Sequence, residues 1–236
     1  METWASINIL KGRVVSLLRG DPSTPMEWEM APLEAAQRWQ EEGVDGLHVV
    51  DLDRALGSGT NEVAVLSVLE GTRIPVQVAG GIRSVDEALA WLGKRAVRVV
   101  IGTMAYVNPD KIGEIIEKTG PRGVALAVDF RENTVLSNGW RRDEKINVFE
   151  AIKAAENLGV DAVVVTAVDR AGTAGGPDFG TYEKLRSQTE ISILASGGIR
   201  SSEDVDQLSV LGLDGVIVGR ALYEGAVRPA HLRSRL

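Results

Sequence analysis

The chain contains no cysteine among its 236 residues. This absence excludes disulfide bonds, thiolate metal ligands and cysteine nucleophiles. Lysine and arginine are scattered rather than gathered in a run, and the formal net charge is −7. A surface that binds nucleic acid is therefore not expected.

Long apolar runs are missing as well. No stretch approaches the roughly 18 consecutive apolar residues that a membrane-spanning helix needs. The first residues, Met1 to Trp4, lack the basic and apolar regions of a secretory signal. These absences predict a soluble protein of the cytoplasm that has no membrane partner.

A glycine turn that occurs twice is the most informative feature present. The stretch Gly-Gly-Ile-Arg-Ser at residues 80–84 recurs 117 residues later, at residues 197–201. A second glycine turn follows each copy at the same distance, at Gly102 and at Gly219. Backbone N–H groups in such turns, at the positive end of a following helix, form anion sites. Two such units predict a small-molecule ligand that carries a phosphate at each end.

Composition and the order of elements predict the fold. The hydrophobic content of 44% and the charged content of 25% are ordinary for a protein with a full core. Eight strand-like segments alternate with eight helical ones, which favours a single α/β (β/α)8 TIM barrel over an open doubly wound sheet. The repeat predicts two half-barrels, at about residues 1–120 and 121–236.

Polar residues at the predicted strand ends are the candidates for chemistry, because barrel active sites lie at the C-terminal ends of the strands. They are Asn8, Asp51, Asp129 and Thr166. The first and fifth strands of a barrel are half a turn apart, so Asn8 and Asp129 are expected to face each other. Two opposed polar groups between two phosphate sites suit proton transfer on a bisphosphorylated sugar.

Some candidates have ordinary structural alternatives. Asp51 is equally typical of a cap or loop carboxylate, and Thr166 of a β-branched strand residue. His48, in the middle of an apolar strand, is more typical of a satisfied core histidine than of a catalyst. Trp140 lies in the longest loop after a strand, residues 130–145, where it packs the loop or stacks on a ligand ring.

Taken together, these motifs resemble the histidine-biosynthesis family of duplicated half-barrels, and the resemblance covers nearly the whole chain. It rests on Lys11-Gly12-Arg13-Val14-Val15, Leu47-His48-Val49-Val50-Asp51-Leu52, Gly80-Gly81-Ile82-Arg83-Ser84, Gly139-Trp140, Gly172-Thr173, Ser196-Gly197-Gly198-Ile199 and Val216-Ile217-Val218-Gly219-Arg220-Ala221. The set is typical of two sister enzymes of that family. One is the isomerase of phosphoribosylformimino-aminoimidazole carboxamide ribotide (ProFAR), and the other is the cyclase that follows it. The chain length and the Gly20-Asp21 loop resemble the isomerase more closely.

The resemblance implies an Amadori rearrangement of an aminoaldose to an aminoketose, with no cofactor and no metal. Asp129 would be the general acid, and Thr166 would hold the ribose hydroxyls. The expected phosphate ligands are Gly81, Ser84, Gly102 and Thr103 for one phosphate and Gly198, Gly219 and Arg220 for the other. The expected binding set is completed by Arg83, Trp140, Asp51, Gly172 and Thr173. The barrel is expected to act as a monomer.

Two positions depart from the family pattern. The strand-one aspartate, which is the family's general base, is Asn8 here, and the aspartate usual after strand six is Ala171. Loss of a positioned general base typically lowers the rate by roughly 10²–10⁴. Three interpretations remain open: an engineered substitution that leaves binding intact, a native chain with another base, or a non-catalytic binder of sugar bisphosphates. The enzymatic alternatives are the sister cyclase and a dual isomerase that also accepts phosphoribosylanthranilate.

Overall fold

The computed structural model describes residues 1–229 of the chain. Over these residues it has twelve strands, which are β1 (Glu2–Leu10), β2 (Arg13–Ser16), β3 (Met26–Glu27), β4 (Gly46–Asp51), β5 (Val76–Ala79), β6 (Arg98–Ile101), β7 (Val124–Arg131), β8 (Thr134–Ser137), β9 (Arg142–Asn147), β10 (Ala162–Ala167), β11 (Ser192–Ser196) and β12 (Gly215–Val218).

The same residues form ten α-helices and two 3-10 turns. The helices are α1 (Pro32–Glu42), α2 (Leu52–Leu56), α3 (Glu62–Gly71), α4 (Val85–Gly93), α5 (Thr103–Val107), α6 (Asp110–Thr119), α7 (Val148–Leu158), α8 (Phe179–Arg186), α9 (Ser202–Val210) and α10 (Arg220–Tyr223). The 3-10 turns are Leu18–Gly20 and Pro121–Gly123.

Eight of the strands form a closed parallel ring in the order β1-β4-β5-β6-β7-β10-β11-β12, and β12 pairs with β1. The remaining strands are antiparallel additions, with β2 and β3 following β1 and with β8 and β9 following β7. The (β/α)8 barrel predicted from the sequence is confirmed. Strands β1 and β7 lie four places apart in the ring, on opposite sides of it.

Helix boundaries follow from local capping chemistry. Helix α7 begins after Asn147, whose side chain accepts the N–H of Glu150 while the Glu150 carboxylate accepts the N–H of Asn147. It ends at Gly159, whose φ of +76° is the left-handed conformation that closes a helix. These two caps set the span of α7 at Val148–Leu158.

The hydrophobic core has two parts. A large cluster lies between the ring and the helices, and it includes Leu47 and Val49 of β4. A smaller cluster fills the inside of the barrel and includes Trp4, Val164 and Ile217. Side chains alternate along each strand, which places one set against the helices and the other inside the barrel.

The structure adds elements that the sequence pattern did not predict. The expected loop at residues 130–145 contains the hairpin of β8 and β9, and β9 is almost wholly polar and exposed, so it lacks the alternation of a half-buried strand. Helices α2 and α5 have five residues each, which is too short for a periodic signal. Helix α8 begins at Phe179 because Asp178 caps it by accepting the N–H of Thr181. In residues 1–229, no helix is long and apolar enough to span a membrane.

Candidate active site

A cavity of about 280 Å³ opens at the C-terminal ends of the ring strands. Its wall includes twelve of the fifteen residues predicted for the site, namely Asn8, Gly81, Arg83, Gly102, Thr103, Asp129, Trp140, Thr166, Gly172, Gly198, Gly219 and Arg220. The other three, Asp51, Ser84 and Thr173, are not among the residues that line it. The barrel therefore brings most of the predicted set together at one mouth.

Asp51 lies beside the cavity and acts as a cap. Its buried carboxylate accepts hydrogen bonds from the backbone N–H groups of Arg54 and Asn61 at 3.1 and 2.7 Å, and from the Asn61 side-chain amide at 2.7 Å. The Thr60 hydroxyl donates to it as well, at 3.2 Å. These bonds hold the loop after β4 in place beside the first glycine turn. They also satisfy the buried carboxylate of Asp51 with donors from the protein itself, so its burial does not require a bound ligand.

Ser84 and Thr173 also bond to their own loops. The Ser84 hydroxyl caps α4 by accepting the N–H of Glu87 at 3.2 Å. The Thr173 hydroxyl donates to the carbonyl of Arg170 at 2.7 Å and accepts the N–H of Gly175 at 3.1 Å. Each side chain stabilises a loop at the edge of the cavity.

The two glycine turns have closely similar geometry. Gly80 and Gly197 have φ angles of +99° and +93°, and Gly81 and Gly198 have φ angles of +67° and +86°. In the first copy the Glu87 carboxylate accepts the N–H of Arg83 at 2.7 Å while its own N–H binds Ser84. The same bonds recur in the second copy between Asp204, Arg200 and Ser201. Helices α4 and α9 thus begin alike, each with its positive end directly after a glycine turn.

Glycine is required at the first position of these turns. A β-carbon at Gly80 would lie 2.3 Å from the carbonyl oxygen of Asp51, at a φ that side chains rarely adopt. We expect Gly80→Ala to lower the free energy of unfolding by about 1–3 kcal/mol or more, the usual cost of forcing a side chain into such a conformation.

Urea unfolding followed by circular dichroism would measure this effect. Gly113→Ala is the matched control, because Gly113 lies inside α6 and a β-carbon there would meet nothing within 4 Å. The control should gain about 0.5–1 kcal/mol, as glycine-to-alanine changes inside helices do. Equal effects of the two substitutions would show that the turn does not need its glycine.

Asn8 and Asp129 lie on β1 and β7, on opposite walls of the cavity. The Ser6 hydroxyl donates to Oδ1 of Asn8 at 3.3 Å. The Trp140 indole N–H donates to Oδ2 of Asp129 at 2.8 Å. Burial raises the pKa of Asp129 above the ordinary value of an aspartate, while hydrogen bonds from Trp140 and Thr166 lower it in part. The protonated form of Asp129 is therefore favoured relative to an exposed aspartate.

Trp140 closes one side of the cavity. Its φ of +65° is left-handed, which is uncommon for a bulky residue. The indole packs so closely on Gly20 that a β-carbon at Gly20 would lie 2.0 Å from the ring. The 3-10 turn after β2 and the hairpin of β8 and β9 therefore meet at the wall of the cavity.

The loop after β10 forms hydrogen bonds with residues of the neighbouring loops. The backbone N–H of Arg19 donates to the carbonyl of Ala171 at 2.8 Å, and the Arg220 guanidinium donates to the carbonyl of Gly172 at 2.9 Å. Ala171, at the position where the resemblance leads us to expect an aspartate, itself lines the cavity. Three loops that line the cavity are thus in contact with one another.

Several lining residues were not predicted for the site. Apart from glycine and apolar residues, they are the hydroxyl and amide side chains of Ser6, Ser16, Ser137, Asn138 and Ser196, together with His48. Period-two alternation could have found two of them, since Ser6 and His48 lie two residues before Asn8 and Val50 on inward-facing strand positions. Ser137 and Asn138 could not have been found in this way, because the hairpin that carries them was not predicted.

Comparison with known proteins agrees with this architecture. The family model described as histidine biosynthesis protein matches residues 2–228. A protein from Thermus thermophilus is 39% identical over 223 residues, which cover 94% of each chain. Relatives from Methanosphaera stadtmanae and Alkaliphilus metalliredigens are 36% identical over 222 residues and 35% identical over 234 residues. Those alignments cover 94% of both chains in the first case, and 99% of this chain and 98% of the relative in the second.

All three relatives carry the name 1-(5-phosphoribosyl)-5-((5-phosphoribosylamino)methylideneamino) imidazole-4-carboxamide isomerase. The similarity extends over nearly the full length, so it includes both glycine turns and the strands that carry Asn8 and Asp129. The chain belongs to the histidine biosynthesis protein family.

Proposed function

We propose that this protein is a ProFAR isomerase, which converts the aminoaldose ProFAR to its ribulosyl form. The observation that carries the proposal is a cavity with a glycine turn on either side and Asp129 between them, in a chain similar to isomerases over nearly its whole length. The names of the relatives specify a substrate with two 5-phosphoribosyl groups. Two phosphate sites across one cavity match such a substrate.

The two phosphates are assigned to the two turns. One would bind the backbone N–H groups near Gly81, Gly102 and Thr103, and the other those near Gly198 and Gly219. Arg83 and Arg220 line the cavity and supply positive charge for the phosphates. The matching geometry of the two turns also supports our proposal that the barrel consists of two equivalent halves, which meet near residue 120.

Asp129 is the proposed general acid. Its raised pKa favours the protonated form, which gives its proton to the ribose ring oxygen as the bond from C1 to that oxygen breaks. The lone pair on the glycosidic nitrogen then forms the C1=N bond of an open-chain iminium ion. Thr166, next to Asp129 on the neighbouring strand, would hold the ribose hydroxyls.

The same carboxyl group is the proposed base. Among the described residues that line the cavity, only Asp129 and His48 have side chains that ordinarily titrate between acidic and neutral pH, and burial lowers the pKa of His48 to about 3, which leaves Asp129 as the proton acceptor. The carboxylate left after the first step takes the proton from C2, and that electron pair forms the C1=C2 bond of an enolamine. The enolamine then becomes the ketone by losing the proton of its C2 hydroxyl and gaining one at C1. Asp129 ends protonated, so one carboxyl group closes the cycle without a base at Asn8.

Incubation of the purified protein with ProFAR tests the proposal. The expected result is formation of the ribulosyl isomer without added cofactor. Parallel assays would contain the ribulosyl product with ammonia, which is the cyclase reaction, and phosphoribosylanthranilate, which carries one phosphate. Conversion of either compound in place of ProFAR would overturn the assignment, and so would tight binding of ProFAR with no turnover.

Trp140→Phe is expected to change the pH dependence of this reaction. The substitution keeps a ring against Gly20 but removes the N–H that donates to Asp129, a bond that lowers the pKa of the carboxyl. Because the acid must be protonated, kcat/KM should fall as the pH rises through the pKa of Asp129. In the variant this alkaline limb should move to higher pH. Trp91→Phe, the same change outside the cavity, should leave the limb in place, and an unmoved limb in Trp140→Phe would contradict the role of the bond.

A further inference from the structure

His48 lies on the floor of the cavity, one level below Asn8. In the parallel register between β1 and β4, Asn8 is level with Val50 and Ser6 is level with His48. The His48 side chain is 9% exposed and lines the cavity. The imidazole is therefore carried by a ring strand, one register level deeper in the barrel than Asn8, and not by the loops at the mouth.

A chain of hydrogen bonds across three strands fixes the tautomer of His48. The Arg98 guanidinium donates to Oε1 of Gln77 from Nε at 2.9 Å and from Nη2 at 2.7 Å. Arg98 can only donate, so the amide atom of Gln77 that accepts its two bonds must be the oxygen. The other amide atom, which lies 2.9 Å from Nδ1 of His48, is therefore the nitrogen. Gln77 therefore donates to Nδ1, and the proton of a neutral ring is on Nε2.

The surroundings also keep the ring neutral. Burial and, to a smaller extent, the Arg98 guanidinium lower the pKa of His48 to about 3. Throughout the neutral range the ring therefore presents an Nε2–H donor, and its only acceptor nitrogen is occupied by Gln77. Within residues 1–229, no group forms a hydrogen bond with Nε2 of His48. The donor is fixed, uncharged and open to the cavity.

The proposed reaction contains two oxygens whose bonding changes. Asp129 is proposed to protonate the ring oxygen, which becomes a hydroxyl as the ring opens. The other is the oxygen on C2, which is a ribose hydroxyl before the reaction and becomes the ketone oxygen; Thr166 is proposed to hold the ribose hydroxyls, but no N–H donor has been assigned to this oxygen. A neutral imidazole N–H suits an oxygen that changes from hydroxyl to carbonyl, because it stabilises developing negative charge without giving up its proton.

We propose that His48 is a substrate-contacting residue whose Nε2–H donates to the C2 oxygen of the reacting sugar, with Gln77 and Arg98 as the residues that position it. This inference rests on the proposed isomerase function. The His48 proton stays on Nε2 through the cycle described above, so the proton balance of that cycle is unchanged. Removal of one such donor typically lowers kcat by about 10²–10³.

Two substitutions that differ by one methylene test the inference. His48→Gln carries an amide nitrogen at the distance of Nε2, whereas His48→Asn carries one at the distance of Nδ1 and has no atom at Nε2. We expect His48→Asn to lower kcat by at least about 10²-fold with KM changed only a few-fold, and His48→Gln to stay within about tenfold of wild type. Nitrogen-15 NMR of a His231→Gln protein, which has a single imidazole, should show the Nε2–H tautomer.

The outcomes separate the inference from the function on which it rests. Equal turnover in both variants, equal loss in both with a lowered Tm, or an Nδ1–H tautomer would each overturn the role of His48 while wild-type isomerisation stands. Absence of isomerisation in the wild type would overturn the proposed function, and the inference with it. A loss of turnover in His48→Asn but not in His48→Gln, with the Tm unchanged, would support a donor at Nε2.

Discussion

Asp129→Asn is expected to abolish most of the isomerase turnover, by about 10³-fold or more. Positioned acid and base groups each contribute typically 10²–10⁴ to a rate, and Asp129 is proposed to serve as both. The amide of an asparagine can neither protonate the ring oxygen nor take the proton from C2. Its oxygen can still accept the indole N–H of Trp140, so the closed arrangement of the loops should be retained and binding of ProFAR should persist.

The same substitution is expected to stabilise the protein at neutral pH. The pKa of Asp129 is raised in the folded protein, so the folded state retains a proton that the unfolded chain has already lost. The stabilising contribution of this group is full below the unfolded pKa, which is roughly 3.9, and it is lost as the pH rises through the folded pKa. An asparagine has no proton to lose in this range, so the Asp129→Asn variant does not lose stability in this way. The Tm of the variant should therefore exceed that of wild type at pH 7, and the difference should shrink as the pH is lowered.

The control for Asp129→Asn is Asp110→Asn, the same chemical change at an exposed residue in the first turn of α6. The control should retain wild-type turnover and lose a few tenths of a kcal/mol of helix stabilisation, since an acidic side chain near a helix N-terminus contributes about 0.3–1 kcal/mol. Loss of turnover together with a lowered Tm in Asp129→Asn would indicate a structural role. Retained turnover would contradict both proposed steps.

Much of this barrel could be predicted from the sequence because its strongest signals are conformational requirements. The turns at Gly80 and Gly197 need positive φ angles and close backbone approach, so glycine marks them in the sequence at equal spacing. The ring strands are continuous apolar segments because helices cover one face and the barrel interior the other. The opposed placement of Asn8 and Asp129 follows from strand order alone.

Other parts of the site depend on contacts that no local pattern records. Trp140 reaches Asp129 through a hairpin whose second strand is polar, and its left-handed backbone could not be expected for a tryptophan. The state of His48 depends on Gln77 and Arg98, which lie on two other strands. Asp51 was compatible with two roles, and the bonds from Asn61, ten residues away, determine that it caps a loop.

Asn8→Asp is the second substitution with a large expected effect, and it is expected to raise turnover at least tenfold. In the cycle proposed for the wild type, one carboxyl group gives a proton and takes one back in successive steps. An aspartate at position 8 would place a second carboxylate on the opposite wall of the cavity, at the position where the resemblance to the family implies a base. A separate positioned base contributes typically 10²–10⁴ to a rate, and a tenfold gain is a lower bound because Ala171 remains in the loop after β10.

The pH profile distinguishes this explanation from a general improvement in binding. With Asp129 as the only acid and base, kcat/KM for the wild type should have an alkaline limb, where Asp129 loses its proton, and no acidic limb from a second carboxyl. In Asn8→Asp the new base must be ionised, so an acidic limb should appear and the profile should become bell-shaped. Both proteins act on the same substrate, so ionisation of its phosphates affects the two profiles equally. Unchanged turnover with ProFAR still bound would contradict the role of position 8, and a gain without a new limb would place the base elsewhere in the cavity.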